Sequence, residues 1–209
     1  MSVSVSVIPF YCPRTLTNAY IVRMVGSGKV LLVDPSDLST GLMDYLISES
    51  VTPQVILLTM RSTTLEHRVR TLRRIYPLTV YGPPGAIDVV DNPLTPDKPN
   101  PELHCCEVPI RTLVLGALEP MRVMYLFSDL LFSSDVLRAG RMAQLPSLYE
   151  QSRLAGFIRA EVLCLPAETL VLPAVGPPSS ILVEQALNPA TRESPEEAAA
   201  EHEAEERET

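Results

Sequence analysis

The chain has 209 residues, of which 46% are hydrophobic, so it is too apolar for a disordered protein and long enough for one domain. A domain of this size buries about 70% of the surface that its unfolded chain would expose. Three histidines (His67, His104 and His202) exclude a catalytic site that needs four or five imidazoles. The net charge is −8, but residues 191–209 hold eight Glu and two Arg, which leaves −2 for residues 1–190. A body so close to neutral argues against a nucleic-acid partner.

The cysteines and the N-terminal segment indicate the cellular compartment in which the protein works. Four cysteines do not make a disulfide framework at this length, so a reducing compartment is the simpler interpretation. The N-terminus lacks a basic segment followed by a long apolar run, and no stretch approaches the roughly 20 apolar residues of a membrane helix. We therefore expect a cytoplasmic protein without membrane contact.

Hydrophobic patterning in the first half predicts strands interspersed with helices. Strands are predicted at residues 2–8, 18–25, 29–33, 55–59 and 77–82. A first helix, capped by Ser39 or Thr40, runs to about residue 50. Its apolar face comprises Leu42, Leu46 and Ile47. A second helix over 64–75 has an apolar face of Leu65, Val69, Leu72 and Ile75. Four prolines within 91–101 predict an exposed loop.

The second half repeats the alternation and ends in an acidic segment. Strands are predicted at 105–115, 121–127, 130–133 and 168–175, and helices at 147–163 and 179–187. The first of these helices faces inward with Leu148, Leu154, Phe157, Ile158 and Val162. Two sheets sandwiched between helices accommodate this order. Residues 1–190 are predicted to form one domain, followed by a disordered acidic tail at 191–209.

Four stretches of the sequence resemble motifs of one known family. They are TNAYIV with GKVLLVDPSD (17–37), VILLTMRSTTLEH (55–67), LFSSDVLRAGR (131–141) and TLVLPAVGPPSSILVEQALNP (169–189). Together they resemble the metallo-β-lactamase fold superfamily, nearest to the short glyoxalase II-like (hydroxyacylglutathione hydrolase-like) hydrolases. The resemblance implies an α/β protein, a four-layer αββα sandwich over roughly residues 7–190.

The family's chemistry depends on two zinc or iron ions, held by histidines and aspartates, that activate a water molecule. The seven positions that correspond to its ligands are Met60, Ser62, Thr64, Leu65, Leu118, Asp135 and Val175. Only Asp135 keeps a metal-ligand side chain, and one carboxylate beside a thioether and two hydroxyls is a poor zinc or iron site. The resemblance therefore implies that this chain has no metal cofactor. We expect the apolar replacements to fill the former site, because a void would be destabilising.

Several smaller hypotheses remain open beside this one. Ser62, His67 and Asp135 could form a catalytic triad. The alternative is that His67 is a surface or rim residue of an arginine-rich helix. His104, Cys105 and Cys106, together with Cys12 or Cys164, could bind zinc, although the cluster lacks a second spaced pair. Asp135 could instead accept hydrogen bonds within its own turn.

Basic residues follow the degenerate motif. His67 and Arg68 stand where the family usually has two glycines, and with Arg61 they could form an anion-binding rim beside the old cleft. The alternative is a solvated helix face that includes Arg70, Arg73 and Arg74. The acidic tail could dock on a basic partner or on these arginines, or serve solubility alone.

Two functions follow from the sequence. The first is a non-catalytic pseudoenzyme that serves in binding, assembly or regulation, with a protein partner or a small ligand of unknown identity and with oligomerisation left open. The second is a residual or altered glyoxalase II-like hydrolase acting on thioesters or related small molecules. The geometry around Met60, Leu118, Asp135 and Val175 bears most directly on this choice.

Overall fold

The computed structural model describes residues 5–24, 26, 28–38, 41–85, 88–96, 102–105, 108–116, 118 and 120–188, with the side chains of residues 102, 104, 105 and 108 left aside. The predicted cap residues Ser39 and Thr40, the first residues of the predicted strand at 2–8 and the acidic tail at 191–209 lie outside this set. No helix within it is long and apolar enough to cross a membrane.

The first sheet is mixed and, in the described residues, has six strands. They are β1 (Val5–Cys12), β2 (Thr17–Met24), β3 (Lys29–Val33), β4 (Thr52–Leu57), β5 (Thr79–Gly82) and β6 (Asn92–Pro93), in that spatial order. The first three pair antiparallel and the rest pair parallel. β3 after its first residue and the second half of β4 are continuous apolar and buried runs, as expected for strands covered on both faces.

The second sheet also has six strands within the described chain. They are β7 (Glu102–Cys105), β8 (Val108–Leu115), β9 (Arg122–Phe127), β10 (Leu130–Phe132), β13 (Leu170–Leu172) and β14 (Ser179–Ser180). The spatial order is β14-β13-β10-β9-β8-β7, and only β10 and β13 pair parallel. A two-stranded ribbon, β11 (Leu137–Arg138) and β12 (Arg141–Met142), follows β10.

Helices cover the outer face of each sheet. The first sheet packs on α1 (Leu42–Ser48) and α2 (Thr63–Arg73); the second packs on α3 (Leu148–Phe157), a π-helical continuation (Ile158–Val162) and α4 (Ile181–Leu187). One apolar cluster lies under each pair of helices, and a third fills the space between the sheets. In that third cluster the Tyr20 ring packs edge to face on the Phe132 ring. The architecture is the expected four-layer αββα sandwich.

The predicted apolar faces are wrong at one residue in each of three helices. Ile47 is 68% exposed, because it lies about 100° around α1 from the buried Leu46. Ile75 is exposed because α2 ends two residues earlier, at Arg73. Leu148 is 84% exposed because it opens the first turn of α3, before the helix reaches the sheet.

The predictions for residues 91–115 also need correction. The proline-rich loop contains the short strand β6. The N–H of Leu94 donates to the carbonyl of Gly82, and the Leu94 side chain is buried between the sheets. The strand predicted at 105–115 is a pair of antiparallel strands, β7 and β8. The sequence analysis also missed the β11–β12 ribbon, whose two-residue strands are too short to show a periodicity.

Candidate functional site

Loops that follow the strands of both sheets converge on a cavity of about 210 Å³. Asp34 and Ser36 come from the turn after β3, and Ala174 comes from the loop after β13. Met60 and Ser62 come from the β4–α2 connection, and Thr64 and Leu65 from the first turn of α2. The cavity wall carries five hydroxyl groups, those of Thr15, Thr17, Ser36, Ser62 and Thr64. Two of the apolar replacements, Met60 and Leu65, therefore line an open cavity beside these hydroxyl groups instead of filling it.

Hydrogen bonds across the sandwich hold these loops in place. Asn18 of β2 donates its side-chain amide to the carbonyls of Pro173 (2.9 Å) and Gly176 (2.7 Å). The Tyr20 hydroxyl donates to the same Pro173 carbonyl at 2.7 Å. Burial, opposed by the Asn18 hydrogen bond and reinforced by the charge of Asp34, raises the pKa of Tyr20. One strand of the first sheet thus anchors the loop that carries Val175.

Asp34 is a buried carboxyl group in a strained turn. Its φ of 45° lies in the left-handed region, which is costly for a residue other than glycine. Its two oxygens accept the N–H of Thr59 (2.8 Å) and the Thr59 hydroxyl (2.6 Å), which hold this conformation. Burial raises the pKa of Asp34 to about 7; the Asp135 charge adds to the shift, while the Thr59 hydrogen bonds and Arg122 oppose it.

Asp135 is held by a guanidinium group. Arg122 donates Nε to Oδ1 at 2.7 Å and Nη2 to Oδ2 at 3.0 Å, the parallel fork that arginine forms with carboxylates. Ser134, itself at φ 60°, donates its hydroxyl to Oδ1 at 3.3 Å. Burial alone would raise the pKa of Asp135, but the hydrogen bonds and charge of Arg122 outweigh it and hold that pKa below its usual value.

The backbone explains how Arg122 reaches this position. Arg122 begins β9 and forms an isolated β-bridge with Met60, the first of the seven ligand positions. Val123 N–H donates to the Thr59 carbonyl at 2.8 Å beside that bridge. The Arg122 guanidinium also donates to the Pro120 carbonyl. Pairing between the two sheets therefore holds the Arg122 guanidinium beside two of the seven positions, Met60 and Asp135.

The seven ligand positions do not form one apolar plug. Leu65 packs with the α1–α2 layer, whereas Leu118 packs with the α3–α4 layer. Met60, Ser62 and Thr64 are half-buried and line the cavity. Val175 is half-buried and lines a separate open cavity together with Asp135.

The donor set at these positions does not fit a dinuclear zinc or iron centre. One carboxylate is available, and a guanidinium occupies both of its oxygens. The remaining atoms belong to a thioether, two hydroxyls and three hydrocarbon side chains, which such ions do not prefer. Within the described residues no group of three or more His, Cys, Asp or Glu could hold a metal ion. A centre of the family's kind would need ligands other than these seven.

The triad hypothesis is not supported by the geometry. Asp135 accepts hydrogen bonds from Arg122 and Ser134, whereas His67 is exposed and lines a different cavity. The zinc hypothesis at His104, Cys105 and Cys106 rests on side chains outside the described set. Of its other two residues, Cys12 is buried and donates to the Asp37 carboxylate at 3.2 Å, and Cys164 is exposed.

The basic residues of α2 separate into two groups. Arg61, Arg70 and Arg73 form ion pairs with Glu66 (3.3 Å), Asp88 (2.6 Å) and Asp91 (2.5 Å) respectively. His67 and Arg68 instead line an open cavity of about 450 Å³ together with Arg14. Arg61 therefore belongs to an ion pair, and Arg14 takes its place on the predicted rim.

Sequence inspection missed three residues of this site: Arg14, Asp34 and Arg122. Asp34 had a local signal, because an aspartate in the turn after a buried strand lies at the sheet edge where such sites form. Arg122 and Arg14 had none, since their distance in sequence from Asp135 and His67 hides their proximity in space.

The fold and the position of the site place the protein in a structural class. The chain has the metallo-β-lactamase fold, with the site at the loop edge of the sandwich. BLEG-1 B3 metallo-β-lactamase matches with a TM-score of 0.73 and 23% identity, over 88% of this chain and 98% of that chain. ETHE1 from Myxococcus xanthus matches with a TM-score of 0.74 and 19% identity, over 90% of this chain and 86% of that one. No family model and no curated protein sequence matches.

A further solved structure bears on the cofactor. TTHA1623, in a di-iron-bound form, matches with a TM-score of 0.62 and 25% identity over 87% of this chain and 98% of that chain. The chemotaxis sensor ODP, with a TM-score of 0.57 and 14% identity over 86% of this chain and 87% of that chain, is described as a peroxy diiron species. These neighbours contradict the expectation of no metal cofactor: the fold carries iron in proteins of this size, so degeneracy of one sequence motif does not exclude a metal.

Proposed function

We propose that this chain is a non-catalytic protein of the metallo-β-lactamase fold, a pseudoenzyme that works by binding in an assembly or regulatory role. The observation that carries the proposal is the two-point hydrogen bonding of Asp135 by Arg122. At the seven positions, Asp135 is the one side chain of a metal-ligand type.

The energetics of the pair support this role. Asp135 and Arg122 are 31% and 16% exposed, so separating them would leave two charges with restricted access to water. Acting as a metal ligand or general base would require Asp135 to release the guanidinium. The low pKa of Asp135 also keeps the carboxylate charged and paired. This arrangement favours a fixed structural element over a reacting group.

The shape of the site supports binding. A cavity lined by hydroxyls, a buried carboxyl and the half-buried Met60 suits a small polar ligand. We further propose that the protein works in the cytoplasm, where the free thiols of Cys12 and Cys164 would stay reduced, and that nucleic acid and membranes are not its partners. Oligomerisation is compatible with either a ligand or a protein partner.

A residual hydrolase acting on thioesters is the second candidate. Asp34, with a pKa of about 7, lines the cavity beside the Ser62 and Thr64 hydroxyls, and a carboxyl group of that pKa could exchange protons with a substrate at neutral pH. The hydrolase candidate is disfavoured because both oxygens of Asp34 already accept hydrogen bonds from Thr59.

Turnover measurements separate the two functions. Purified protein is assayed with acyl-glutathione thioesters and with β-lactams, and its zinc and iron contents are measured in the same preparation. We expect no hydrolysis above the background of a matched Asp34→Asn variant. Hydrolysis that this variant lacks, or two equivalents of iron or zinc together with turnover, would overturn the proposal in favour of the hydrolase.

A further inference from the structure

Two neighbouring cavities share part of their walls. The hydroxyl-lined cavity of about 210 Å³ and the open cavity of about 450 Å³ both contact Thr15 and Thr64. Their combined space falls in the range typical of small-molecule sites. We infer that the two cavities act as one cleft, with the smaller cavity as its inner part and the larger as its mouth.

The mouth of this cleft is positively charged. It is lined by Arg14, His67 and Arg68 together with threonines, and no Asp or Glu of the described chain lines it. The neighbouring Arg61, Arg70 and Arg73 each have a carboxylate partner. For Arg14 and Arg68 no such partner exists among the described residues, and Arg68 Nε is buried without any acceptor. Buried donors of this kind are costly unless a partner arrives.

The inner part offers neutral hydrogen-bonding groups. Ser62 is the N-cap residue of α2, but its side chain makes no capping hydrogen bond. The Ser62 hydroxyl is therefore available to a molecule in the cavity, as are the first-turn N–H groups of this 11-residue helix. The hydroxyls of Thr15, Thr17 and Ser36 are joined by hydrogen bonds of 2.6 and 2.7 Å, and all three residues line the cavity.

We propose that the cleft binds a small organic oxyanion. Its phosphoryl or carboxylate group lies among Arg14, His67 and Arg68, and its uncharged polar body enters the hydroxyl-lined cavity. Guanidinium groups donate paired N–H bonds to both kinds of oxyanion. The proposal deepens the binding role given above and rests on it.

The experiment compares four probes by isothermal titration calorimetry: glycerol 3-phosphate, glycerate, inorganic phosphate and glycerol. We expect one of the two organic anions to bind more tightly than both inorganic phosphate and glycerol, because charge and polar body each contribute. Tighter binding of glycerol 3-phosphate assigns a phosphoryl ligand, and tighter binding of glycerate assigns a carboxylate.

Variants locate the two halves of the ligand. Arg14→Gln and Arg68→Gln are each expected to weaken binding of the organic anion by about tenfold. Ser62→Ala is expected to weaken the organic anion while leaving inorganic phosphate unchanged. Arg74→Gln is the matched control, since it removes the same charge at the opposite end of α2 and should change nothing.

The outcomes distinguish this inference from the proposed function. No saturable binding of any probe at millimolar concentration, or binding that survives both Arg14→Gln and Arg68→Gln, would overturn the oxyanion site alone. Turnover of a thioester by the same preparation would instead overturn the non-catalytic function.

Discussion

The guanidinium of Arg122 holds both oxygens of Asp135, at 2.7 and 3.0 Å, at the point where the two sheets of the sandwich meet. The arginine is placed there by its backbone bridge to Met60. A cation supplied by the chain itself therefore neutralises the carboxylate that remains among the seven ligand positions. This relationship makes the site a part of the scaffold and gives it a measurable role in stability.

Replacing Arg122 by alanine should destabilise the protein. The change leaves Asp135 with a partly buried, uncompensated charge, and we expect the free energy of unfolding to fall by about 1–3 kcal/mol. Urea denaturation of Arg122→Ala, Asp135→Ala and the double variant gives the coupling energy, which should be about 1 kcal/mol or more.

The control for this cycle is Arg111→Ala. Arg111 pairs with Glu161 at 2.6 Å, but the two side chains are 46% and 37% exposed. Loss of so exposed a pair should change stability by less than about 0.5 kcal/mol. Equal effects at Arg111 and Arg122 would contradict the special role given to the buried pair.

Asp34 should make stability depend on pH between about 4 and 7. Its pKa rises from 3.8 to about 7 on folding, so the folded state binds the proton more tightly than the unfolded state. The contribution of Asp34 to stability is therefore complete below pH 4 and is lost as the pH rises towards 7. Urea denaturation at several pH values should show the stability of the wild type falling relative to Asp34→Asn across this window. Parallel pH profiles for the two proteins would refute the shift.

Asp135 should act in the opposite direction and at lower pH. Because Arg122 lowers its folded-state pKa, its contribution is present above the unfolded-state value of 3.8 and is lost as the pH falls through the folded-state pKa. Asp135→Asn should therefore flatten the acid limb of the stability profile below about pH 4. Above that pH the slope due to Asp34 should persist over a narrower pH range, because the Asp135 charge is one cause of the raised pKa of Asp34.

Glu184 is a buried carboxylate that organises the loop before α3. It accepts the N–H of Gly140 at 3.1 Å with each oxygen, the Ser179 hydroxyl and the Asn188 amide at 2.7 Å. Glu184→Ala removes the shared acceptor of these donors and should cost about 2–3 kcal/mol of unfolding free energy. Glu168→Gln, at an exposed position, is the control and should be nearly neutral.

Tyr20→Phe tests the hydrogen bonds that join the two sheets. Pro173 keeps the Asn18 amide as a second donor, so loss of the hydroxyl should cost only about 1 kcal/mol. Ultraviolet titration provides a separate test, since burial raises the pKa of Tyr20. The wild type should contain one more tyrosine that resists ionisation at alkaline pH than the variant does.

Local sequence pattern predicted most elements because the apolar periodicity of a strand or helix is a property of neighbouring residues. β3 was predicted at the bounds the structure gives, and α2 differs by one residue at its start and two at its end. The pattern gave wrong burial where tertiary contacts override it. Leu94 lies in a loop of prolines yet is 5% exposed, because pairing of β6 with β5 carries it between the sheets.

The residues of the candidate site also divide into those that the sequence identified and those that only the structure identified. The sequence, through its resemblance to a known family, identified Asp135 and the six altered ligand positions, since they lie within short motifs. It did not identify the partner of Asp135, because Arg122 lies in another strand, 13 residues away along the chain. It also grouped Arg61 with Arg68 as one rim, whereas Glu66 neutralises Arg61 and none of the described acidic side chains pairs with Arg68.

The amino-acid sequence by itself determined most strands and helices in their order, because hydrophobic pattern is local. Its resemblance to a known family, carried by short motifs, implied the four-layer arrangement and the side chains at the seven predicted ligand positions. Only the tertiary structure decided which charges meet and which are left facing a cavity, because ion pairing depends on distances between segments that local sequence does not encode. The result is a paired Asp135 at the centre and, within the part of the chain that the structure describes, an Arg14 and an Arg68 without a carboxylate partner at the mouth.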